Sequence, residues 1–362
     1  MAVAAAAAAG AFALAARDDG EPRPPARIPT TSAPESLDGP GEGEVVLAAP
    51  PGAVPAWLTR EFERTTGCAV DVQTIAPDEL AARVALDRGA TIDLALVRSS
   101  DSLRLVEGGA VAALDGDLLE HRDDLLEPLR EPAATTVDGR SYGLAYDWAL
   151  DVLVSAPTIP TPSSLEVLLD PTYTGQVAMP DDVLTLATAA LLNGVTDPYA
   201  LTESELQGAS SVLQAQTGLL DGRYADADGL ARLLRGGALV ALASSATAAT
   251  LAGEGLSVTT TLPREGTTGW FESWQLTSRA RHPVCAYRWL NLATAPETQA
   301  AIARDGLGPA SGEACDLPGP GRCERLGLAT PEVIGRVSFA RTPIKPTPFG
   351  EWRRAWAVCC EP

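Results

Sequence analysis

The chain has 362 residues, and 47 acidic side chains against 27 basic ones leave a formal net charge of −20. That excess excludes a nucleic-acid binder working through phosphate contacts, while 46% apolar and 20% charged residues exclude wholesale disorder. Two histidines, His121 and His282, far apart in the chain, and a single lysine, Lys345, argue against histidine metal centres and lysine-dependent phosphate or Schiff-base chemistry, so no metal and no cofactor is expected.

At about 100 to 200 residues per domain, the length predicts two or three units with sizeable cores. Residues 2–16 read AVAAAAAAGAFALAA, a run too short to span a bilayer comfortably but suited to a signal-peptide core, with Ala13-Leu14-Ala15 as an A-x-A-like cleavage site. No positive charge precedes it, so residues 1–16 read either as a signal peptide or as a membrane-proximal apolar segment. Export to the periplasm or the cell surface is expected. Residues 17–43 hold six prolines among Gly, Ser, Thr and charges and read as a disordered linker.

After the linker, EVVLAAP (44–50) reads as a strand and PAWLTREFERTTG (55–67) as a helix with Leu58 and Phe62 on its apolar face and Gly67 at its end. CAVDVQTI and IDLALV read as strands, with DELAARVAL helical between them, which gives βαβαβ order. The acidic stretch DGDLLEHRDDLLEPL spaces leucines as an amphipathic helix does. A second strand-rich block opens at YGLAYDWALDVLVS (142–155). There the strand QVAMP leads into PDDVLTLATAALL, an apolar helix that Asp181 or Asp182 can cap.

Thr202 and Glu205 match a capping box for the next helix. GGALVALASS, LSVTTTLP and GWFESWQLTS follow as strands, and CAYRWLNLATAPETQAAIARDGL returns to helix. The tail adds two amphipathic helices, TPEVIGRV, with Thr330 as N-cap and Pro331 in the first turn, and FGEWRRAWAV. Strands alternating with helices predict α/β architecture with mostly parallel sheets covered on both faces. Two such blocks in tandem suggest a cleft between them.

Cys68, Cys285, Cys315, Cys323, Cys359 and Cys360 form no CxxC and have no histidine at metal-ligand spacing, so disulfides outside the cytoplasm explain them better than zinc. Cys315 and Cys323 bracket the loop DLPGPGR, but six cysteines leave fifteen connectivities open.

The phrases YGLAYDWALDVLVSA, DPTYTGQVAMPDD, LPREGTTGWFESWQLTSRARHPVCAYRWLNLATAPETQAAIA and FGEWRRAWA occur in this order over residues 44–357. Together they make the chain resemble the periplasmic spermidine/putrescine-binding proteins of ABC importers. The resemblance implies a two-lobed, type II-like periplasmic-binding-protein fold, with 44–152 plus 270–308 as lobe one and 153–269 plus 309–362 as lobe two. The strands near 146–155 and 269–278 would cross between the lobes, and the ligand would lie in the cleft. It also implies a monomeric receptor that hands a small amine-bearing solute to an ABC permease and its ATPase. On the same lobe assignment Cys68 would pair with Cys285, while Cys315 and Cys323 would close their loop, leaving Cys359 and Cys360 for each other or free.

A polyamine site needs carboxylates along a groove and aromatic faces over the methylenes. Trp270-Phe271-Glu272 falls on the family's Trp-x-Asp, so the resemblance makes Trp270 a stacking face and Glu272 an amine ligand. Asp182 falls on a family acid and is equally a helix cap. Ser99 matches a polar contact, Asp101 stands where an aromatic is expected, and Asp147 with Trp148 forms a cleft pair at the other crossing. The chain departs from the family at Pro50, Ala53 and Leu307, where aromatics are expected, at Thr185 for a second acid, and near Ser244 for a tryptophan. Two other functions fit the same residues. One is a degenerate receptor acting as a sensory or interaction module, and the other a hydrolase using Asp182 and Glu272 as a carboxylate pair.

Overall fold

Apolar runs buried on both faces, with no helical period of polar residues, make the centre of the molecule a sheet rather than a bundle. The structure, a computed structural model, describes residues 33–87, 90–303, 306–317 and 331–360. Its first block is β1 (Glu44–Ala49), α1 (Ala56–Thr66), β2 (Ala69–Thr74), α2 (Pro77–Asp87), β3 (Leu94–Arg98) and α3 (Ser99–Glu107), with β1 parallel to both β2 and β3. The helix α1 buries Leu58 and Phe62 and stops at Gly67, whose φ of 72° a side chain would oppose.

After a small hairpin of β4 (Thr136–Val137) and β5 (Arg140–Ser141), two long antiparallel strands, β6 (Leu144–Ser155) and β11 (Thr267–Leu276), occupy the middle of the sheet, and the short β10 (Thr259–Thr261) pairs with β6. On the far side come β7 (Val177–Pro180), β8 (Leu220–Tyr224) and β9 (Val240–Ser244), mutually parallel in the order β9-β7-β8. The main path is thus β2-β1-β3-β11-β6-β9-β7-β8, two parallel blocks joined through the antiparallel pair. The first part of β6 pairs with β11, and Asp151–Ser155 pairs with β9, so Asp151 stands where the partner changes. The helices α5 (Thr185–Leu192), α6 (Glu203–Gln216), α7 (Ala227–Gly236) and α8 (Ser245–Gly253) belong to the second block. The predicted capping box of Thr202 and Glu205 opens α6. This is the two-lobed α/β architecture expected.

Edge-to-face rings tie the first block together. Phe62 meets Trp289 at 5.3 Å, Trp289 meets Trp274 at 5.7 Å, and Trp274 meets Tyr146 at 5.8 Å. Each such pair contributes about 0.5 to 1.5 kcal/mol beyond area burial.

Several local expectations need correction. The acidic stretch is a short 3-10 turn at Gly116–Leu118, a run of turns and a four-residue helix, α4 (Glu127–Arg130). Its backbone is satisfied from outside: Asp115 N donates to the Tyr287 hydroxyl, Glu120 N to Asn291 Oδ1, and Asn291 Nδ2 donates to Leu118 O. The long C-terminal helix breaks at Ala295 into α9 (Pro283–Thr294) and α10 (Pro296–Ile302), because Pro296 supplies no amide to continue α9. After Pro331–Ile334, a single helical turn, the chain becomes a strand, Val337–Phe339, parallel to β11; Thr330 lies outside the described residues.

Part of the predicted disordered linker is structured. Residues 1–32 lie outside the described residues, but Arg288 Nη2 donates to Leu37 O at 2.6 Å, and Glu42 accepts from Val284 N and Cys285 N at 2.9 and 3.0 Å. Cys68 is bonded to Cys285, and Cys359 to Cys360. Cys315 is also disulfide-bonded; Cys323 lies outside the described residues.

Candidate functional site

Strand ends of both blocks converge on one cavity of about 330 Å³. Arg98 comes from the end of β3, Asp151 from the partner change in β6, Asp182 from the turn after β7, Ser244 from the end of β9, and Thr268 and Trp270 from β11. Crevices at the carboxyl ends of parallel strands are where open α/β sheets hold ligands.

Asp151 is the half-buried acid of the cavity floor. Thr268 Oγ1 donates to its Oδ2, Thr267 Oγ1 donates to its carbonyl at 2.6 Å, and Thr188 Oγ1 lies 3.0 Å from Thr268 Oγ1. Burial pushes the Asp151 carboxyl up to about 6; the Thr268 bond and the Arg98 charge pull it down, and the Asp182 charge adds to the rise. Asp182 is exposed at the cavity mouth, yet enough protein crowds its carboxylate that desolvation is the main cause of its raised pKa. Its Oδ1 accepts from Leu184 N at 2.8 Å, one step before α5, and that bond and Arg98 oppose the rise. Each aspartate thus gains from a cation placed near both.

The aromatic lining is Trp270, Tyr199 and Tyr224. Tyr199 stacks on Trp352 with centroids 6.4 Å apart, and burial, followed by the Asp151 and Asp182 charges, lifts its hydroxyl pKa well above the ordinary range. Tyr224 donates to Leu242 O. Trp270 carries the Arg98 guanidinium over its ring, 4.5 Å from the centroid.

Of the residues singled out in the sequence, Trp270, Asp182 and Ser244 line this cavity. Ser244 is committed to capping α8, accepting from Thr247 N at 3.1 Å. Glu272 does not line it: its side chain is 8% exposed and its nearest approach to Arg98 is 4.0 Å, so Glu272 and Asp182 do not face one space as a carboxylate pair. Ser99 is buried and supports β11, accepting from Phe271 N, while its neighbour Ser100 reaches the cavity. Asp101 pairs with Arg104 on α3. Asp147 is buried beside a separate cavity of about 180 Å³, and Trp148 donates to Pro309 O at 2.9 Å from within the core.

Sequence reasoning missed Arg98, Asp151, Tyr199, Tyr224 and Thr268. A signal existed for Asp151, an acid inside the apolar run ALDVLV and four residues beyond Asp147, hence on the same strand face. None existed for the tyrosines, which follow from tertiary packing alone.

A larger cavity of about 750 Å³ lies elsewhere, lined by Ala33 and by residues between Val106 and Tyr142. It draws on one block only and brings no carboxylate pair under an aromatic face, so the smaller cavity is the better candidate. Among the described residues there is no group of three or more His, Cys, Asp or Glu side chains placed to hold a metal, and no helix is long and apolar enough to cross a membrane.

Residues 57–319 match the family model of bacterial extracellular solute-binding proteins. Among solved structures, the spermidine/putrescine ABC transporter substrate-binding protein of Streptococcus pneumoniae is similar with a TM-score of 0.75 at 14% identity, over 87% of this chain and 98% of that one. An ABC transporter protein of Clostridium perfringens gives 0.73 at 19% identity, over 87% and 99%. A periplasmic binding protein of A. tumefaciens R10 in complex with agropinic acid gives 0.60 at 18% identity, over 88% and 96%. At these identities the likeness is one of fold.

Proposed function

The chain belongs to the bacterial extracellular solute-binding proteins, and from that premise we propose that it captures a small amine-bearing solute in the cavity between its lobes and delivers it to the permease of an ABC importer. The observation that carries this reading is the pairing of Asp151 and Asp182 on one cavity, each with its carboxyl pKa raised and each raised mainly by burial. An ammonium between them restores to both what desolvation removes, by charge-assisted hydrogen bonds of roughly 1.5 to 3 kcal/mol each.

The lobes are residues 44–152 with 270–308 and 153–269 with 309–362, and closure about β6 and β11 brings Arg98 and Trp270 towards Asp182. Residues 1–16 serve export either as a signal peptide or as a membrane-proximal apolar segment, and the receptor acts as a monomer. Structures of this fold include one named for spermidine and putrescine and one holding agropinic acid, so the fold alone does not choose the solute and the side chains of the cavity must.

A thermal-shift screen of the protein against amines, amino acids and sugars tests the reading. A solute at 100 times its Kd adds about 2.7 kcal/mol to stability. Binding of the best hit should weaken by a factor of tens to thousands in Asp151→Asn and in Asp182→Asn. A hit that binds the double variant as tightly as the parent would falsify the proposal.

A further inference from the structure

One charge in the cavity is not answered by an amine. Arg98 closes β3 and lines the cavity with 43% of its side chain exposed. Its guanidinium occupies the face of Trp270, so a side chain of the protein already fills the cation position over that ring. The nearest approach to Glu272 is 4.0 Å through Nε, beyond hydrogen-bond distance. The planar guanidinium fork matches a carboxylate bidentately. Arg98 is also close enough to Asp151 and Asp182 to pull both carboxyl pKa values down. An ammonium between the aspartates therefore lies near a like charge, and a solute that also brings a carboxylate to Arg98 turns that contact into an attraction. Closing the lobes over Arg98 would desolvate the exposed side of its guanidinium, which the 4.0 Å contact of Glu272 with Nε leaves unanswered, and that is costly unless an anion meets it there.

We infer that the solute is a zwitterion of the amino-acid class, its amine held by Asp151 and Asp182 and its carboxylate received by Arg98 above Trp270. This rests on the proposed function and narrows it: Asp151, Asp182 and one exposed arginine, set around a cavity at the lower end of ligand-pocket volumes, complement a short solute with opposite charges at its ends, while the third acid of the lining, Asp226, is engaged in capping α7, its Oδ1 accepting from Gly229 N at 2.7 Å. Glu272, beside Nε, is a positioning residue that holds the guanidinium over the ring.

The test is calorimetric titration of the protein with two matched series, zwitterions from glycine to 6-aminohexanoate and diamines from 1,2-diaminoethane to 1,6-diaminohexane. The parent is compared with Arg98→Met, Arg98→Lys and the Asp151→Asn/Asp182→Asn double variant, with melting temperatures confirming that each is folded. At least one zwitterion should bind the parent more tightly than every diamine. Arg98→Met should weaken that zwitterion by about 30-fold or more and strengthen diamine binding by vacating the ring face, while Arg98→Lys should recover part of the zwitterion affinity. The inference is overturned if no zwitterion binds, if a diamine matches the best zwitterion in the parent, or if Arg98→Met leaves zwitterion affinity unchanged. A diamine that wins in the parent and is lost in the double variant removes the carboxylate partner alone and leaves the amine receptor standing. A best binder indifferent to the double variant removes both.

Discussion

Asp151 is ionised at neutral pH only against its surroundings, since burial raises its carboxyl from the ordinary 3.8 to about 6. The folded chain therefore binds more protons at this group than the unfolded chain between those two values, and stability falls as pH rises through them. At about 1.4 kcal/mol per pH unit, the loss from this group is at most roughly 3 kcal/mol. The melting temperature of the ligand-free protein should decline from pH 4 to pH 7 through this contribution, and Asp151→Asn should flatten that decline. A variant with the parent's slope would place the titration elsewhere. Amine affinity should follow the opposite trend, rising from pH 5 to pH 7 as Asp151 ionises. Single-residue chemistry was the least legible part of the sequence. Asp182 is legible through the resemblance, where it falls on a family acid, whereas the Arg98–Trp270 contact joins β3 to β11, strands far apart in the chain that only the folded sheet sets side by side.

Among the elements, β11 carries the site and is held from both sides. A Cβ on Gly269 would lie 2.6 Å from Ala149 O and 2.7 Å from Val337 Cγ1, so Gly269→Ala must push β6 or the strand Val337–Phe339 away from β11. Overpacking of this kind costs about 1 to 3 kcal/mol, and urea unfolding should register it as a lower midpoint with weaker solute binding through the neighbouring Trp270. Gly218→Ala, with open space around its Cβ, should stay within about 0.5 kcal/mol of the parent. Elements with local causes were legible in advance: the apolar period and glycine stop of α1, the capping box of α6, and the apolar strands β6, β9 and β11. The acidic stretch was not, because Tyr287 and Asn291 satisfy its backbone from more than a hundred residues away, a long-range substitute for the helix that its leucine spacing suggests.

At the scale of the whole molecule, the N-terminal segment, α1 and α9 meet at Cys68–Cys285, a bond across 217 residues of chain. Gly41 packs onto it, since a Cβ there would lie 3.1 Å from Cys285 Sγ and 3.3 Å from Cys68 Sγ. Replacing both cysteines by serine should lower unfolding stability by about 2 to 5 kcal/mol, measured by denaturant unfolding under non-reducing conditions, with the solute affinity of the folded fraction unchanged because the bond lies outside the cavity. On the proposed function the cavity between the two blocks, and not the larger one in the first block, receives the solute. A crystal structure of the protein with its tightest-binding solute tests this most directly. The predicted result is a solute lying between the lobes, its amine within hydrogen-bond distance of Asp151 and Asp182. A solute seated in the cavity between Val106 and Tyr142, or one in the cleft that touches neither aspartate, would contradict it.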